Sequence, residues 1–184
     1  ANPSIIFKSQ GTNVTISRNG RESTFESKQP LEELRKLMAQ YTPVQVEGIP
    51  EFHGGAVGYM SYDHVRFFEK LPDNNPDDLN LPDLYFMITD TLLIFDHVNN
   101  VIKVVSNAHV QGDATAAYNE AVRKIDEMTR SLRKPLVVAS ERLHSTGETP
   151  VEPKSSFSFE GFCKAVRRAK DYIAAGDVMQ VVLS

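Results

Sequence analysis

The stretch "FHGGAVGY", Phe52 to Tyr59, is the first with chemical potential. Backbone N–H groups around Gly54, Gly55 and Gly58 could cradle a phosphate, because glycine lets the main chain come close to an anion. The pattern lacks the Lys-Ser/Thr of a P-loop and the spacing of G-x-G-x-x-G. It also compares with the oxyanion-hole glycines of esterases, but no G-x-S-x-G elbow occurs in the chain. Residue types alone favour the alternative: these glycines let strands or a helix approach closely, or form a bulge.

Other chemistry-bearing residues are dispersed. His53, His64, His97, His109 and His144 form no i, i+4 pair beside a glutamate, and there is no Cys-x-x-Cys. Their spacing therefore offers no metal site. Asp63, Asp90 and Asp96 lie in or near strands and could be paired acids, although aspartates in such places also end strands or cap turns. "PDNNPDD" has the composition of a calcium loop without the terminal bidentate glutamate, and reads as a solvated loop. Cys163 sits one residue from the apolar stripe of its helix, as a buried inert thiol rather than a nucleophile. Gln180 is the odd residue in "VMQVVLS". Its amide either faces solvent on an alternating strand or lines a polar pocket.

These residues belong to a chain of 184, with 41% hydrophobic and 24% charged residues, which suits a globular protein with a sizeable core. A net charge of -4 argues against a nucleic-acid partner, since phosphate binding needs a clustered positive field. No stretch approaches the ~18 apolar residues of a membrane span. The start, "ANPSIIFKSQG", has no charged region followed by a long apolar one, so it does not read as a signal peptide. A single cysteine excludes an internal disulfide framework and points to a reducing, cytoplasmic compartment.

The elements follow from periodicity. Residues 4–26 alternate and turn, and Asn19-Gly20 marks a hairpin, giving two or three short strands. "PLEELRKLMAQY" places Leu31, Leu34, Leu37, Met38 and Tyr41 on one helical stripe, with Pro30 suited to the first position. Ala56 to Tyr62 reads as a strand and residues 72–83 as a loop. "LYFMITDTLLIFDH" and "NVIKVVSNAHV" read as two long strands joined at Val98-Asn99-Asn100. A helix over 113–133 has Asp113 as N-cap. A further helix starts after Ser158 and ends at Gly176, followed by a strand-like run from Val178. The expected class is α+β, with mainly antiparallel sheets and packed helices. The expected organisation is a first domain over 1–139, a polar linker over 140–157 and the opening of a second domain over 158–184.

Three stretches, "GGAVGYMSYDHVRFFEKLP", "LPDLYFMITDTLLIFDH" and above all "FCKAVRRAKDYIAAGDVMQVVLS", resemble the component I family of anthranilate synthases. The resemblance runs in order along the whole chain. It implies an N-terminal domain, a linker, and the first helix and strand of a chorismate-binding domain whose catalytic part lies beyond Ser184. The family's tryptophan-contacting segment would precede Ala1. The implied reaction converts chorismate and ammonia, or glutamine through an amidotransferase subunit, to anthranilate and pyruvate. Mg²⁺ would be the cofactor and tryptophan the feedback inhibitor, with no nucleic acid and no membrane involved.

On this resemblance the chain contains no catalytic, cofactor-binding or metal-binding residue of the family. One position carries over: related enzymes that add water to chorismate have lysine where this chain has Gln180. A lysine of lowered pKa can activate water, and glutamine cannot take the proton. Gln180 is thus the substrate-pocket candidate, and its identity disfavours isochorismate or salicylate synthesis. Component I of aminodeoxychorismate synthase, of the folate branch, is the alternative family reading. The isolated chain is expected to be structural and regulatory, without activity of its own.

Overall fold

Asn19 and Gly20 take positive φ, 49° and 78°, and so close the first hairpin as the Asn-Gly pair predicts. It joins the second and third of the seven strands found among the described residues. These are β1 (Ile5–Gln10), β2 (Asn13–Arg18), β3 (Arg21–Glu26), β4 (Gly55–Met60), β5 (Leu84–Thr89), β6 (Thr91–Asp96) and β7 (Val101–Ser106). The helices are α1 (Pro30–Met38), α2 (Ala114–Leu132) and α3 (Phe159–Ala175), with a short 3-10 helix at Tyr62–Phe67. The computed structural model describes residues 3–74, 76–135 and 155–183. The chain forms two compact units, Ala1–Pro135 and Leu136–Ser184. The linker expected over 140–157 falls, up to residue 154, outside the described residues.

In the first unit, five strands form one antiparallel sheet in the order β3-β2-β1-β5-β4. Strand alternation sends Ile5 and Phe7 of β1, Val14 of β2, and Leu84 and Ile88 of β5 to one face. Register places Ile5 opposite Ile88 and Phe7 opposite Phe86. That face meets the apolar stripe of α1, where Leu34 and Leu37 are buried, and these seven residues are the core cluster. Each such side chain contributes roughly 1.5–3 kcal/mol on burial. The helix ends at Met38, short of the predicted Tyr41, yet Tyr41 still packs against the cluster.

The long strand read over "LYFMITDTLLIFDH" is two strands. β5 belongs to the five-stranded sheet, whereas β6 pairs with β7 in a separate two-stranded sheet. Fourteen residues would exceed the 3–10 of an ordinary strand, so the chain changes partners in the middle. Asp90 is where it does so. Its carbonyl accepts the Asn107 backbone N–H at 2.7 Å, and its carboxylate pairs with Lys124 of α2 at 2.8 Å. α2 lies along β7, where Val105 and Ala121 are buried. The expected N-cap is in place, since the Asp113 carboxylate accepts from the N–H groups of Thr115 and Ala116.

In the second unit, the Ser158 hydroxyl accepts the Gly161 N–H at 3.1 Å and caps α3. Gly176 takes φ 83° and ends the helix, with the Asp177 N–H bonded to the Tyr172 carbonyl. The run after Val178 is not a strand, contrary to its composition. A strand needs a neighbour for its N–H and C=O groups, and the described residues of this unit form no other strand. Instead, Val181, Val182 and Leu183 line a cleft of about 420 Å³ together with Phe162, Val166 and Ile173 of α3.

Gly58 reveals why β4 can pair at all. A Cβ there would collide with the Tyr85 carbonyl oxygen and lie 2.7 Å from Phe86 Cα, both backbone atoms of β5. At Gly54 a Cβ would meet chiefly the end of the Asn107 side chain, which can move. Gly58→Ala is therefore expected to cost about 3 kcal/mol or more in urea unfolding, and more than Gly54→Ala. Equal and small losses at the two positions would contradict the close β4–β5 approach.

Candidate functional site

The glycine cluster is spent on packing. Gly55 opens β4 with φ 138°, and Gly58 lies against β5, so the close-approach reading holds and no phosphate cradle forms. The backbone at its start is fixed by Asn107, whose side-chain amide donates to the His53 carbonyl at 2.6 Å and to the Asp90 carbonyl at 3.4 Å. His53 is buried, with Nδ1 3.0 Å from the Glu51 carbonyl oxygen.

The three aspartates are not paired acids; each has its own cation. Asp63 accepts from Arg66 at 3.0 Å, and Arg66 also donates to the carbonyls of Leu71 and Pro72. Asp90 holds Lys124, as described above. Asp96 anchors the β6–β7 turn, accepting the backbone N–H groups of Val98 and Asn99, the Asn99 amide at 2.9 Å and Lys103 at 2.9 Å. The Asn99 side chain, followed by Lys103, holds the Asp96 carboxyl well below the usual carboxylate range. Such an acid stays ionised and cannot deliver a proton near neutral pH.

Among the described residues no three of His, Cys, Asp or Glu converge as a metal would require. The described residues therefore do not fit a Mg²⁺ site. His97 and His109 are exposed, the latter with its ring 5.0 Å from that of Tyr41. His144 lies outside the described residues. Cys163 is half-buried rather than fully buried. Gln180 is exposed in the segment after α3, and no cavity named above includes it. Among the described residues no helix is long and apolar enough to cross a membrane.

Buried polar side-chain atoms without a hydrogen-bond partner among the described residues occur at Ser9, Thr89 and His64. His64 is 2% exposed, and neither ring nitrogen has a hydrogen-bond partner. Phe67 and Phe68 flank the imidazole, with centroids 4.8 Å and 5.8 Å away. Burial holds the imidazole below the usual histidine range, and the Asp83 carboxylate opposes that shift. The ring also lines a cavity of about 260 Å³ bounded by Lys28, Leu31, Glu32 and Arg35 at the start of α1. Sequence reading saw only one of five scattered histidines. The available signal was the apolar pair at i+3 and i+4, on the same side of one helical turn.

The family model for chorismate binding enzyme matches residues 2–184. Component 1 of anthranilate synthase from Acetivibrio thermocellus is 35% identical over the whole chain, which spans 38% of that relative. The Thermus thermophilus protein of the same name is 39% identical over 86% of the chain and 32% of the relative. The chain thus spans about a third of the length of such relatives. The crystal structure of anthranilate synthase component I from Streptococcus pneumoniae TIGR4 superposes with a TM-score of 0.67, covering 96% of this chain and 38% of that one. At 24% identity that likeness speaks for the fold, and the antiparallel α+β class agrees with it. On the match across nearly its whole length, the chain belongs to the chorismate-binding enzyme family.

Proposed function

We propose that this chain is part of an anthranilate synthase component I. On this reading the complete protein converts chorismate and ammonia to anthranilate, pyruvate and water. An amidotransferase subunit supplies the ammonia from glutamine. The observation that carries the reading is the run of relatives bearing that name at 35–39% identity along this chain. Their names favour the tryptophan branch over the folate branch.

The chemistry asks for groups that the described residues do not bring together. A dicarboxylate substrate needs converging cations and oriented N–H groups, Mg²⁺ needs oxygen ligands, and the departing ring hydroxyl needs a general acid. The acids Asp63, Asp90 and Asp96 are instead each committed to their own structural cation or turn. The role assigned to this part of the protein is therefore scaffolding and regulation. Tryptophan would inhibit by favouring one packing of this region on the catalytic one, with coupling of ~1–3 kcal/mol. A reducing, cytoplasmic setting belongs to the same reading, supported by the single cysteine.

Gln180 is assigned to the substrate pocket of the complete enzyme, where a side chain that cannot accept a proton leaves ammonia as the nucleophile. Two outcomes check these statements. The 184-residue chain mixed with chorismate, Mg²⁺ and ammonium gives no fluorescent anthranilate, whereas the complete protein does. Product from the short chain, or none from the complete one, contradicts the assignment. In the complete protein, Gln180→Lys lowers anthranilate formation at least about tenfold and produces a hydroxylated compound by water attack. An unchanged product profile removes Gln180 from the pocket.

A further inference from the structure

The apolar part of the lining of the cavity beside His64 comes from Pro30, Leu31, Phe67 and Phe68. Its rim carries Lys28 and Arg35 against Glu32, which leaves one cation in excess. Glu32 already sits 3.5 Å from Arg35, whereas Lys28 makes no ion pair among the described residues. The helix end contributes too. Gln29 gives α1 no side-chain cap, and its carbonyl takes the N–H groups of Glu32 and Glu33. Pro30 has no N–H, so Leu31 supplies the free donor of the first turn. The independent sign of a missing ligand is His64 itself, 2% exposed and unpartnered at both nitrogens. A buried polar group without a partner is costly, so such groups are usually satisfied by something.

We propose that the cavity between His64 and the first turn of α1 binds a small monocarboxylate with a short apolar body. The carboxylate meets the Leu31 N–H and Lys28, and the body lies on Phe67 and Leu31. Its volume, about 260 Å³, is below the ~300–1,000 Å³ of drug-sized sites, which limits the occupant to a few carbons. His64 turns toward the bound anion as imidazolium. The charged groups around it are Asp83 and, across the cavity lining, Lys28, Glu32 and Arg35. Burial disfavours the charged form of free His64. Binding an anion beside it therefore takes up a proton, and affinity rises as pH falls.

Butyrate and acetate titrated into the 184-residue chain, followed by the His64 ring and Leu31 amide signals in NMR, test this directly. Both signals move saturably. Butyrate binds about tenfold more tightly than acetate through its two extra methylenes, and more tightly at pH 6.0 than at pH 7.5. Lys28→Gln, at an exposed position, weakens butyrate about threefold without altering the melting temperature. His64→Phe keeps the fold, since phenyl suits an apolar shell, and abolishes the Leu31 response. Absence of a saturable shift, equal affinity for the two acids, affinity independent of pH, or a Leu31 response unchanged in either variant overturns the site.

Discussion

Pairing of β1 with β5 is the constraint on which the rest depends. It joins residues near the start of the chain to residues almost eighty positions later, with Phe7 facing Phe86 across the ladder. Until that pairing forms, β1–β3 is a meander with one apolar face and no cover for it, and β4 has no partner. Once it forms, Phe7, Val14, Leu84 and Ile88 share a face and α1 closes over them with Leu34 and Leu37. The loop-closure entropy of so distant a contact is large, and only the shared burial offsets it. β4 then docks on β5 because Gly58 offers no side chain to keep it away.

The same pairing explains where the polar groups go. Asp83, just before β5, accepts the Gly11 N–H at 2.7 Å and so pins the β1–β2 turn to the strand that follows it. Asp90, just after β5, carries the chain into the second sheet and holds α2 through Lys124. The acids that looked chemical in the sequence are the fasteners of this arrangement. The ion pairs of Asp63, Asp90 and Asp96 lie at partly exposed positions, where solvent screening leaves each little net stability on its own. Their effect is to fix register and junctions rather than to supply stability.

Much of this was legible before the structure. The Asn19-Gly20 hairpin, the stripe of α1, the Asp113 cap, the start of α3 after Ser158 and the Gly176 stop each follow from local chemistry that tertiary contacts do not override. What was illegible is non-local. Thr89-Asp90-Thr91 interrupts the apolar run, yet three polar residues do not announce that β5 and β6 belong to different sheets. The 3-10 helix at Tyr62–Phe67 is too short to show a period. The apolar run after Val178 has strand composition, but a strand is defined by its neighbour. For the candidate site, the glycines and aspartates were readable in their structural role. The isolation of His64 was not, since burial and missing partners are properties of the folded chain alone.

Native-state hydrogen exchange tests the ordering at the centre of this account. The amides of Ile5–Gln10 and Leu84–Thr89 that bond across the ladder should be the slowest of the first unit, opening together and only with loss of the α1 core. Those of the exposed edge strand Arg21–Glu26 should open well before them. Exchange of the β1 and β5 amides as fast as that edge would show that the sheet does not hang on this pair.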